Sequence, residues 1–162
     1  MTDAGSLQVA TPTDREVVIT RMFNAPPELV FEAHTKPELV RQWLLGPPGW
    51  SMPVCEIDLR VGGRFRYVWH NEDGRDMGLG GVFREIVAPE RIVHAELFDE
   101  DWTDGETLVT TTFTAQGAAT AMKLTVLYSS KEAREGALFT GMTDGMEAGY
   151  QRLDSMLAEM KS

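Results

Sequence analysis

Residues 120–160 read TAMKLTVLYSSKEAREGALFTGMTDGMEAGYQRLDSMLAEM, and they hold the two periodicities on which the fold turns. Up to Tyr128 the apolar residues alternate, with Met122, Leu124, Val126 and Tyr128 on one face, the period-two pattern of a half-buried strand. Beyond Ser130, which suits an N-cap, the step changes to three and four. Leu138, Met142, Met146, Tyr150, Leu153 and Leu157 then form the stripe of one long amphipathic helix over 130–160. A one-sided helix of that length needs an apolar surface to cover, and the chain before it supplies one.

Working back from Tyr128, short β-branched and aromatic runs alternate with turn residues, which predicts strands over 52–59, 63–70, 77–87, 91–98, 107–115 and 120–128. The turns, such as Gly62-Gly63, Asn71 to Gly74 and Gln116-Gly117, are too short for parallel crossovers, so the sheet is antiparallel. A further strand is expected over 16–23 (EVVITRMF). Two short proline-started helices follow it, one from Pro26 or Pro27 to His34 and one from Pro37 to Leu44. The expected architecture is α+β: a curved seven-stranded antiparallel sheet, two short helices, and a long C-terminal helix packed across the sheet. Residues 1–14 read as a flexible polar lead and 15–162 as a single domain.

Composition sets outer limits on function. The chain has 162 residues and a formal net charge of −10, and an acidic surface repels phosphate backbones and anionic headgroups, so neither nucleic acid nor a membrane is an expected partner. No apolar run approaches the roughly 20 residues of a membrane-spanning helix, and the N-terminus lacks the basic start and apolar core of a signal peptide. One cysteine, Cys55, allows no intrachain disulfide, which points to a cytoplasmic setting. Alternation places Cys55 beside Ile57 and Leu59 as a buried thiol rather than a nucleophile.

Several words in this order resemble the START-like (SRPBCC, helix-grip) superfamily and, within it, homologues of the heat-shock-protein-90 ATPase activator. They are Thr20 to Pro26 (TRMFNAP) with Val30-Phe31-Glu32-Ala33, Trp43 to Gly49 (WLLGPPG), Asp58 to Phe65 (DLRVGGRF), and Gly81 to Ile86 (GVFREI) followed by Pro89-Glu90-Arg91-Ile92. The resemblance implies a helix-grip fold with an internal cavity between sheet and C-terminal helix. It implies no single activity, since such proteins include lipid carriers, polyketide cyclases and co-chaperone domains.

The residues themselves favour binding over catalysis. His34, His70 and His94 lack metal-ligand spacing, no nucleophile or dinucleotide motif occurs, and no metal or cofactor is expected. Phe65, Tyr67 and Trp69 alternate along one strand, and Val109, Thr111 and Phe113 along another, so both aromatic faces point to a core or a cavity. Two strands leave their inward face open: Val82/Ile86 competes with Phe83/Glu85/Val87, and Val93/Ala95/Leu97 with Ile92/His94/Glu96/Phe98. Glutamate is rarely buried unpaired, so Glu85 and Glu96 are expected outside, and an inward carboxylate is the alternative.

On the C-terminal helix Gly141, Gly145 and Gly149 make a smooth stripe beside Met142, Met146 and Tyr150, where close packing or room for a ligand would offset their poor helix propensity. Trp43, Trp50 and Trp102 fall near segment ends, where Trp43 and the Gly46–Trp50 loop suit a cavity mouth. The acidic turn Asp99–Asp104 is expected to be solvated.

The candidate cavity residues are therefore Trp43, Phe65, Tyr67, Trp69, Phe83, Glu85, His94, Glu96, Phe113, Leu138, Met142, Met146 and Tyr150. The preferred expectation is a non-enzymatic protein that binds a small hydrophobic or amphipathic molecule. A cyclase- or hydrolase-type enzyme using cavity Glu, His and Tyr, and a co-chaperone-like module, are the alternatives, and a chaperone partner or a homodimer is left open.

Overall fold

Val17, Ile19 and Phe23 are fully buried at alternate positions of one strand, as the apolar period requires. A computed structural model describes residues 7–46, 48–101 and 105–161. In chain order it contains β1 (Gln8–Ala10), β2 (Glu16–Phe23), α1 (Pro27–Thr35), α2 (Pro37–Trp43), β3 (Trp50–Ile57), β4 (Arg64–Asn71), β5 (Asp76–Val87), β6 (Arg91–Phe98), β7 (Thr107–Gln116), β8 (Ala119–Leu127), α3 (Lys131–Phe139) and α4 (Met142–Lys161). Each of the seven predicted strands is present, its ends displaced by no more than two residues. The strands form one antiparallel sheet in the order β1-β2-β8-β7-β6-β5-β4-β3. From β3 to β8 the chain runs as a meander of hairpins, and β8 returns to pair with β2, with Val17 opposite Val126 and Ile19 opposite Leu124.

Two expectations require correction. Among the described residues the sheet has eight strands, not seven: Gln8–Ala10, in the stretch read as a lead, pairs antiparallel with β2, Gln8 opposite Thr20 and Ala10 opposite Val18. Its three residues are all exposed and show no alternation to read. The C-terminal helix is also two helices. Gly141 takes a φ of +78°, which a residue with a Cβ adopts only under strain, and it divides the run. Before it, the N–H groups of Thr140 and Gly141 donate to the carbonyls of Ala137 and Leu138 (both 3.2 Å); after it, the Gly141 carbonyl accepts from Asp144 (3.1 Å). Gly141 therefore closes α3 and opens α4.

The core lies between the sheet and α4, which buries Tyr150, Leu153, Met156 and Leu157. Gly149 earns its place by close approach: a Cβ there would stand 2.9 Å from the Trp43 carbonyl oxygen at the end of α2. One residue on the inward face of β2 breaks the apolar pattern. Arg21, with its side chain 1% exposed, lies between Ile19 and Phe23 and reaches α4.

All five of its donors are used. Nε and Nη2 donate to Glu147 (2.9 and 3.1 Å), Nη1 and Nη2 to Asp154 (2.8 and 2.9 Å), and Nη1 also to the Met22 carbonyl (3.4 Å). Glu147 and Asp154 stand two turns apart on one helix face, so a single planar guanidinium grips α4 at two points. Burial pulls against its charge, but the hydrogen bonds it donates to Asp154 and Glu147 outweigh that and raise the Arg21 pKa above its ordinary value. Glu147 also accepts from the Leu7 N–H (3.0 Å), which ties the segment before β1 to the same point.

Arg21→Met keeps the apolar volume but leaves two half-enclosed carboxylates facing each other, and should cost about 3 kcal/mol in a denaturant titration. A change within about 0.5 kcal/mol would show that the clamp is not structural.

Candidate functional site

Between the sheet and α4 lies a cavity of about 310 Å³, near the small end of ligand sites, which run from roughly 300 to 1,000 Å³. Strands β4 to β8 form its floor, and Met142, Met146 and Tyr150 of α4 its roof. His34 of α1 and Val40 and Trp43 of α2 close one side. Its lining is almost wholly apolar, which follows from the strand period: every inward residue of β7 from Thr107 to Phe113 and of β8 from Leu124 to Val126 faces it.

Eleven of the thirteen residues singled out from sequence line the cavity: Trp43, Phe65, Tyr67, Trp69, Phe83, His94, Glu96, Phe113, Met142, Met146 and Tyr150. Leu138 does not, because the break at Gly141 puts it on α3, where it packs against the edge of the core. Glu85 does not either. A bulge between Phe83 and Glu85 shifts the parity of β5, so Phe83 and then Ile86 face inward while Glu85 pairs with Arg91 outside (3.0 Å). Neither competing face of that strand was right as a whole, since each contributes one inward residue.

On β6 the face Ile92/His94/Glu96/Phe98 points inward, so Glu96, expected outside, is in the cavity. It is paired there: His94 Nε2 donates to Glu96 Oε2 at 2.9 Å, and each side chain is 19% exposed. The rings of Phe65 (5.0 Å) and Phe83 (6.3 Å) stand edge-on to His94 and hold it. Burial raises the Tyr67 hydroxyl pKa, with Cys55 and Glu96 adding to it, and burial followed by Glu96 pushes Tyr128 up to about 12. Both phenols are therefore neutral donors.

Cys55 itself is half-buried opposite Tyr67, outside the lining, and burial pushes its thiol up to about 11, which suppresses the nucleophilic thiolate. Trp50 starts β3, packed against the core rather than in the cavity wall. Pro47 and Trp102 lie outside the described residues, as does much of the acidic turn. Its described residues Asp99, Glu100 and Asp101 are exposed, as expected, and Asp99 makes a two-point ion pair with Arg66 (2.6 Å each).

Sequence reading set His34 aside, yet it lines the cavity. Its Nδ1 lies 2.8 Å from the Val30 carbonyl, which can only accept, so Nδ1 carries the proton. Nε2 is enclosed without a partner, and the rings of Trp43 and Phe113 lie 4.9 and 5.0 Å away. The signal was there in outline, since His34 shares the apolar face of α1 with Val30. Thr107, Thr111 and Tyr128 are further lining residues. Among the described residues no group of His, Cys, Asp and Glu could hold a metal ion.

Residues 24–158 match the family described as activator of Hsp90 ATPase homolog 1-like protein. The chain belongs to this family. A solved structure of a protein from Rhodobacter sphaeroides is 35% identical, with a TM-score of 0.90 over 96% of this chain and 99% of that one. A Mycobacterium smegmatis protein is 26% identical, with a TM-score of 0.82 over 93% and 95%. The fold also matches the AHSA1-like protein of Aeromonas hydrophila, at 22% identity and a TM-score of 0.62 over 83% and 92%. No curated protein matches the chain. No described helix of this family member is long and apolar enough to cross a membrane.

Burial lowers the His34 pKa from 6.5 to about 4, against the pull of the Val30 carbonyl. The unfolded chain then binds more protons than the folded one between these values, so folding stability falls as pH drops from 6.5 to 4. The His34 share of that loss is on the order of 3 kcal/mol, and the difference between wild type and His34→Phe in denaturant titrations across this window should recover it. Parallel curves for the two proteins would refute it.

Proposed function

We propose that this family member is a non-enzymatic binding protein that holds one small apolar or amphipathic molecule between its sheet and α4. The cavity carries this reading. Aromatic rings and two methionines enclose a space that ordinary core packing would have filled, since protein interiors pack with few voids larger than a water molecule. Methionine suits such a roof because its flexible thioether conforms to different shapes. The polar atoms are few and fixed, as in sites where apolar surface supplies affinity and a few groups set orientation.

The neutral dye Nile red should bind with blue-shifted emission, and native mass spectrometry of protein taken gently from cells should show a retained small molecule. Met146→Trp fills the roof without touching the clamp at Arg21, and should weaken dye binding by more than tenfold with the melting temperature nearly unchanged. Equal dye binding by both proteins would place the dye elsewhere and remove the support.

One observation favours a second reading, acid–base chemistry on a bound molecule: His94 and Glu96 form a hydrogen-bonded pair inside the cavity. Incubation with a small-molecule extract, followed by mass spectrometry, separates the two. Conversion that is lost in both His94→Phe and Glu96→Gln marks an enzyme. Retention of an unaltered molecule marks a carrier.

A further inference from the structure

The cavity has a sign. Its lining contains one carboxylate, Glu96, and neither Lys nor Arg, so no fixed positive charge faces a ligand. The single hydrogen bond that Glu96 accepts among the described residues goes to Oε2, from His94, which leaves Oε1 without one. Aromatic rings of β4 and β5 line the same cavity as a packed cluster: Phe65 and Tyr67 with centroids 5.1 Å apart, Tyr67 and Trp69 at 5.8 Å, Phe65 and Phe83 at 5.5 Å. Aromatic faces are negative and attract a desolvated cation, as does a carboxylate. The enclosed lone pair of His34 Nε2, at the α1 side, is a further acceptor and no donor.

A carboxylate ligand would bring a second negative charge into a low-dielectric space, where like charges repel strongly and no Lys or Arg of the lining relieves them. From these observations we infer that the cavity selects apolar amines: a hydrophobic, ring-sized body with an ammonium or N–H group held on Glu96 Oε1, to the exclusion of fatty acids and other carboxylates. The inference rests on the binding reading above and narrows it to a ligand class. Glu96 and His94 then have distinct jobs. Glu96 receives the ligand's nitrogen, while His94, wedged between Phe65 and Phe83, fixes the carboxylate's orientation as a positioning residue.

Three probes of one shape test this: 4-phenylbutylamine, 4-phenylbutanol and 4-phenylbutyrate, each titrated against Nile red on the whole chain at neutral pH. The amine should bind at least tenfold more tightly than the carboxylate, with the alcohol between them. In the isosteric Glu96→Gln variant the amine should lose most of this advantage while the alcohol is unchanged. Equal affinity of amine and carboxylate for the wild-type protein overturns the inference and leaves the binding reading intact, and that comparison needs no variant. An amine preference that persists in Glu96→Gln overturns the assignment to Glu96. Failure of all three probes, the alcohol included, together with failure of Nile red to bind, overturns both.

Discussion

The grip of Arg21 on Glu147 and Asp154 is the constraint on which the rest of this structure depends. A helix that covers a sheet ordinarily does so by filling the space between them with side chains. Here α4 is fixed near one end of the sheet by four charge-assisted hydrogen bonds from a guanidinium rooted in β2, and beyond that point it roofs the cavity. The groups that hold α4 in place are thereby separate from those that line the cavity. The apolar stripe Leu153, Met156 and Leu157 beside Asp154 packs conventionally, whereas Met142 and Met146, N-terminal to the clamp, face the cavity. The guanidinium also lies over Phe23 (5.1 Å) and Tyr150 (5.7 Å), so the clamp borders the cavity wall directly.

The order of elements was legible because each announced itself by period and punctuation. Strand alternation in 91–98 and 107–115, prolines opening α1 and α2, and the three-four step after Ser130 all survive in the fold. What escaped was local backbone conformation that leaves no trace in a period. The bulge near Arg84 inserts one residue and lets Phe83 and Ile86 share a face, which strict alternation forbids. Gly141 was visible as a glycine within an unbroken stripe, but its left-handed φ is not encoded in the stripe. The methionine and leucine positions are compatible with one helix or two.

Charge was the harder part to read. Arg21 lies more than a hundred residues from Glu147 and Asp154, and nothing local in TRMF marks its arginine as buried. The same limit applies to Glu96, whose inward placement depends on which face of β6 the neighbouring strands select. His94, two residues away and hence on the same face, is what makes that placement tolerable. Aromatic and methionine residues were found readily because their burial follows from their chemistry; buried polar residues require knowledge of the partner, and the partner is supplied by tertiary structure.

The two margins of the sheet have a consequence for how copies of this protein behave together. One margin is β1, three exposed residues long; the other is β3, where Pro53 removes a backbone donor and the pairing with β4 is irregular between Ser51 and Val54. A short strand and a proline-interrupted strand are poor templates for another chain's backbone. Growth of the sheet from molecule to molecule is thus disfavoured at both sides, so a domain built around an apolar cavity offers its neighbours little backbone to pair with.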